Sequence, residues 1–132
     1  MRILFLAAAS ISLASCGNAT AASNNPAHCL AAFNYAAYWF KVGNEPDKVE
    51  RQLAYGLYVM EKVKSDGGSA SEVLAEAKQF SVAHVKNSKE MDALYLACAK
   101  AQAHDPRFRA EFPGLLEKAR LLVPQFEAAA TP

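Results

Sequence analysis

Apolar residues recur along this chain at helical spacing. The densest run is Cys29 to Val42, in which only Asn34 and Lys41 are strongly polar. At about 100° per residue, Cys29, Phe33, Ala36 and Phe40 form one stripe, flanked by Ala32 and Trp39. A second stripe, Ala31, Tyr35, Tyr38 and Val42, lies nearly opposite. A helix apolar on most of its circumference is either central to a bundle or offers its extra face to a partner.

The flanking residues predict where helices start and stop. Asn25-Pro26 reads as an N-cap followed by proline at the first helical position, and Gly43 as a C-terminal stop. Pro46 opens a second helix with the apolar stripe Val49, Leu53, Gly56, Met60 and Val63. Asp66-Gly67-Gly68 ends it. Gly56 on the inner face implies close approach of another helix, with Ala36 or Ala32 expected opposite. Ser69-x-x-Glu72 is a capping box for a third helix, with the stripe Val73, Ala77, Phe80 and His84. Asn87-x-x-Glu90 starts a fourth, in which Met91, Tyr95, Cys98 and Gln102 align beside Leu94 and Ala101. Asp105-Pro106 caps a short piece to Phe112. Pro113 then begins a last helix, which Pro124 ends or kinks.

No segment alternates apolar and polar residues with strand period. The expected fold is therefore all-α: a small antiparallel bundle of four main helices plus short C-terminal helical pieces. The short connections favour antiparallel neighbours. A solenoid fragment is the lesser fold reading, because the helix pairs share no internal motif.

The N-terminus is of another kind. Met1-Arg2 is a minimal positive region, and Ile3 to Leu13 is an apolar run of signal-peptide length. The following Leu13-Ala14-Ser15-Cys16-Gly17 resembles a bacterial lipobox, whose cysteine becomes the acylated first residue. The resemblance implies lipidation of Cys16 and, since Gly17 is not the aspartate of inner-membrane retention, an outer-membrane lipoprotein facing the periplasm. Ala19-Thr20-Ala21 offers a rival cleavage site, giving a soluble periplasmic or secreted form. The expected organisation is a signal peptide over 1–15, a flexible small-residue tether over 16–24, a helical domain over 25–127 and a frayed tail over 128–132.

Export changes the reading of the three cysteines. With Cys16 acylated or removed, Cys29 and Cys98 remain as an even pair. In an oxidising compartment they are expected to form one disulfide. Both lie on inner stripes, Cys29 near the start of its helix and Cys98 past the middle of its own, which fits antiparallel packing of the first and fourth helices.

Charge adds little. Lys and Arg number 14 against 13 Asp and Glu, and Arg2 leaves with the signal. A balanced chain carries no electrostatic footprint for nucleic acid.

Candidate chemistry is sparse. His28, Cys29, Cys98 and His104 match no common zinc spacing, and an oxidised pair removes the thiolates, so no metal or other cofactor is expected. Most acids sit at helix starts, where caps and dipoles favour them. Glu76 alone flanks an inner stripe and is the candidate acid of an alternative reading, a small hydrolase of cell-wall material. A second alternative is a bundle holding a small apolar ligand.

The tyrosines are more suggestive. Tyr35 and Tyr38 lie on the second stripe of the first helix, and Tyr55 and Tyr58 lie off the main stripe of the second, near Arg51. Tyrosine and arginine are enriched where protein surfaces meet. The leading expectation is a non-catalytic envelope lipoprotein, a protein-interaction module of adaptor, inhibitor or immunity type. Its partner would be an envelope protein met through this aromatic face. The bland alternative is that the same rings cover the flanks of a small core.

Overall fold

Helix starts are set by side chains that the sequence places in front of them. In the computed structural model, which describes residues 24–129, Asn25 Oδ1 accepts from the backbone N–H of Ala27 at 2.9 Å and caps α1 (Pro26–Val42). Ser69 Oγ accepts from the Glu72 N–H and caps α3 (Ala70–His84). Asn87 exchanges two bonds with Glu90, backbone N–H to Oδ1 and Nδ2 to carboxylate, and caps α4 (Ser88–Ala103). Between them runs α2 (Pro46–Ser65), which has no side-chain cap and begins on proline. Asp105 Oδ1 accepts from the Arg107 N–H at the start of α5 (Pro106–Ala129). The expected signal segment, the acylated Cys16 and the tether through Ser23 lie outside the described residues.

Two stops use a left-handed residue. After α2 it is Gly67, at φ 83°, and the Gly68 N–H reaches back to the Val63 carbonyl at 2.8 Å. After α1 the expected stop at Gly43 is displaced by one residue. Gly43 keeps a negative φ, and Asn44, at φ 57°, takes the left-handed position while the Glu45 N–H bonds the Phe40 carbonyl. Asparagine tolerates that conformation better than most side chains.

The described residues form an all-α bundle organised around α1, which packs against α2, α3 and α4. Its alanines make this possible. Ala27, Ala32 and Ala37 are fully buried, so neighbouring backbones come close on several sides at once. The close approach expected at Gly56 occurs, but against Leu30: a Cβ there would stand 3.2 Å from Leu30 Cδ1. Leu30, two residues before Ala32 and six before Ala36, takes the contact that those alanines were expected to make.

Cys29 and Cys98 form a disulfide with Cα atoms 5.5 Å apart, across 69 residues of chain. At the other end of the pair, Tyr35, Trp39 and Phe40 share a cleft with Ser88 and Asp92, so α1 and α4 run antiparallel. Around the bond pack Ala32, Phe33 and Leu94. A loop of that length gives about 4 kcal/mol in the chain-entropy model.

α2 is buried on two opposite faces. Val49, Gln52 and Gly56 turn one way, while Ala54 and Tyr58, about 180° round the helix, turn toward α5. There Phe108, Leu115 and Ala119 complete a second core. The C-terminal pieces expected from Pro113 and Pro124 are instead one helix, with both prolines inside it and exposed, and it continues past the expected boundary at residue 127. An interior proline removes one backbone bond and costs about 3 kcal/mol. Here both prolines stand on the exposed outer side, and the stripe packed on α2 holds the helix on its inner side. Lys41 Nζ donates to the Glu127 carbonyl at 2.6 Å and ties the end of α5 to the end of α1.

Candidate functional site

The four tyrosines expected to share one face are divided by α5. Tyr58 is 2% exposed. Its ring meets Phe108 edge-on at 5.1 Å, and its hydroxyl donates to Asp105 Oδ2. Tyr55 is half-buried among Phe33, Phe108 and Phe112. The expectation of a surface role is therefore corrected for these two: α5 covers them, and they are core. Arg51 stays exposed on α2, close enough for its charge to act on the Tyr55 hydroxyl. Sequence reasoning missed the cover because it broke α5 at Pro113. Read through that proline, Phe108, Phe112, Leu115 and Ala119 form one helical stripe, and that stripe is the signal.

On α1, Tyr35 and Tyr38 are half-buried and flank Trp39, with ring centroids 6.3 and 5.3 Å from the indole, both near perpendicular. Trp39, expected beside the inner stripe, is 52% exposed, and Val42 is 58% exposed. With Ala36, Phe40, Ser88, Asp92 and Tyr95, Tyr35 and Trp39 line an open cleft of about 510 Å³ between α1 and the start of α4. Burial raises the Tyr35 hydroxyl above its ordinary pKa, and the nearby Asp92 charge acts in the same direction.

A second cleft, of about 440 Å³, opens at the opposite end of α1. The disulfide, Phe33, Val59 and Val63 supply its apolar wall. Lys62, Gln102, His104 and Asp105 supply polar groups. Burial, followed by donation to Asp105, pushes Tyr58 up to about 12. The same hydrogen bond holds the Asp105 carboxyl below its usual range, aided by the Arg107 N–H and by Lys62 at 3.6 Å. Asp105 is thus fully occupied as cap and acceptor. Gln102 is 8% exposed: its Nε2 donates to the Tyr55 carbonyl at 3.2 Å, and its Oε1 has no hydrogen-bond partner among the described residues.

The remaining candidates have ordinary positions. Glu76 stands exposed on α3, within 3.4 Å of Asn25 Nδ2, and lines neither cleft. That removes the acid on which the hydrolase reading rested. His84 stacks on Phe80 at 4.2 Å and pairs through Nδ1 with Glu90 Oε1 at 2.8 Å, fastening the end of α3 to the start of α4. His28 stacks on the other side of the same phenyl ring. The sulfurs of Cys29 and Cys98 are bonded to each other and offer no thiolate to a metal. No described helix is long and apolar enough to cross a membrane. Comparison with protein-family models, with curated proteins and with solved structures finds no match to this chain.

Proposed function

We propose that this chain is an exported, lipid-anchored helical module of the bacterial envelope, non-catalytic, that works by binding a protein partner through the C-terminal half of α1. The anchor rests on the lipobox resemblance at Cys16. The carrying observation for binding is the aromatic end of α1, where Trp39 and Val42 stand exposed beside Tyr35 and Tyr38. Large apolar side chains gathered at one end of a small domain are the composition of an interface core.

The test has two parts. Intact mass of the protein from native membranes reads a start at Cys16 with acyl chains, or a start near Ala22 without them; the second result removes the anchor. For the interface, a photo-crosslinking amino acid is placed at Val42 and, as a control, at Leu121, which is exposed on α5. A discrete protein adduct in intact cells from Val42 and none from Leu121 is expected. Equal or absent labelling at both sinks the interface.

One observation favours a second reading, a small-ligand carrier. The cleft beside the disulfide has an apolar wall and an unpaired buried acceptor in Gln102, which suits a small apolar molecule bearing one N–H or O–H. Native mass spectrometry of the gently purified protein reads a retained mass if this holds, and the bare polypeptide if it does not.

A further inference from the structure

The cleft between α1 and α4 has a more specific chemistry than an apolar patch. Its walls are aromatic rings, Tyr35, Trp39, Phe40 and Tyr95, and the one charged residue lining it is Asp92. Asp92 is exposed and forms no ion pair among the described residues. Aromatic faces carry negative potential and attract cations, most strongly at tryptophan. A carboxylate beside them adds to the same field.

Two cations at this end of α1 are engaged elsewhere. Lys41 donates to the Glu127 carbonyl, and Lys48 pairs with Glu45 Oε1 at 2.6 Å. Lys48 Nζ also sits 5.3 Å from the Phe40 ring centroid, so the chain itself places an ammonium over one ring of this cluster. Trp39 and Tyr35, next to Asp92, have no such occupant among the described residues.

We infer that this cleft receives an arginine side chain of the partner protein, held by Trp39 and Tyr35 and neutralised by Asp92. The inference rests on the binding role assigned above to the C-terminal half of α1 and names what the partner must carry. A guanidinium is planar, always charged and weakly hydrated, so it stacks on an indole and donates to a carboxylate at once. An apolar plug would leave Asp92 facing it without compensation.

The experiment uses the mature protein and two peptides, acetyl-Gly-Arg-Gly-amide and its counterpart with neutral citrulline in place of arginine. Trp39 is the single tryptophan, so its fluorescence and its indole N–H resonance report on the cleft alone. The arginine peptide is expected to shift the indole and nearby α1 and α4 amides, and to bind about 3–10-fold more tightly than the citrulline peptide. Asp92→Asn, at an exposed position, is expected to keep the melting curve and to reduce arginine-peptide binding by a similar factor. Equal binding of the two peptides, or shifts that map away from the cleft, overturns the inference. So does tighter binding of tetramethylammonium or of phosphatidylcholine vesicles than of the arginine peptide, because the cation would then be a small ligand or a lipid headgroup. A Val42 adduct whose yield ignores Asp92→Asn would leave the interface standing and remove only the arginine.

Discussion

Two tyrosine pairs in this molecule share the same i, i+3 spacing and have opposite fates. Tyr55 and Tyr58 on α2 lie beneath α5, one stacked among phenylalanines and the other hydrogen-bonded to the cap of the covering helix. Tyr35 and Tyr38 on α1 flank a tryptophan that no later helix covers. Residue type and spacing do not separate these cases. What separates them is where the next apolar stripe in the chain comes to rest.

The comparison breaks most sharply through substitution to alanine. Tyr58→Ala empties a buried site and removes one of the bonds to Asp105, and we expect a loss of about 3–5 kcal/mol in urea unfolding. Tyr38→Ala is expected to cost less than about 1 kcal/mol. Equal losses would mean that the α1 pair is core as well.

Next in size is the disulfide. Replacing Cys29 and Cys98 by alanine is expected to cost about 2–4 kcal/mol, read from the same unfolding curves. Because the bond joins α1 to α4, the aromatic cleft at the far end of the same two helices should also loosen. An increase in Trp39 fluorescence quenching by iodide would register it.

A smaller effect separates the pairs by pH. The folded state keeps the Tyr58 proton up to about 12, whereas the ordinary value is 10.0. The folded state therefore binds more protons between those values. Its contribution to stability is complete below pH 10 and is lost as pH rises toward 12. Tyr58→Phe should flatten this alkaline loss in melting curves taken at pH 9 and 11. It should not abolish the loss, since burial raises Tyr35 and Tyr55 as well.

Much of the fold was legible because helix ends are local. Asn25, Ser69 and Asn87 announce caps from within a few residues, and each cap forms with the donor that the spacing requires. The cysteine pair was legible because both members lie on inner stripes. The order in which helices cover one another was not. α2 is apolar on one face and carries only Ala54 and Tyr58 at the centre of the other, which reads as a flank until α5 is laid on it. Pro113 concealed α5, because a local rule that usually ends a helix was overridden by burial on the opposite side. The candidate site was half legible for the same reason. Periodicity assigned Trp39 to the edge of the inner stripe, but it holds no information on where along α1 the start of α4 comes to rest, and that placement decides what the indole faces.

The position of the aromatic cleft along α1 sets a reach. Asn25, where the domain begins, and Trp39 are separated by about four turns, roughly 20 Å at 1.5 Å per residue. A chain pinned at its N-terminus would present its disulfide end toward the pinning surface and its indole away from it. A partner approaching from the far side would meet Trp39 first, with the disulfide-stapled end of α1 behind it.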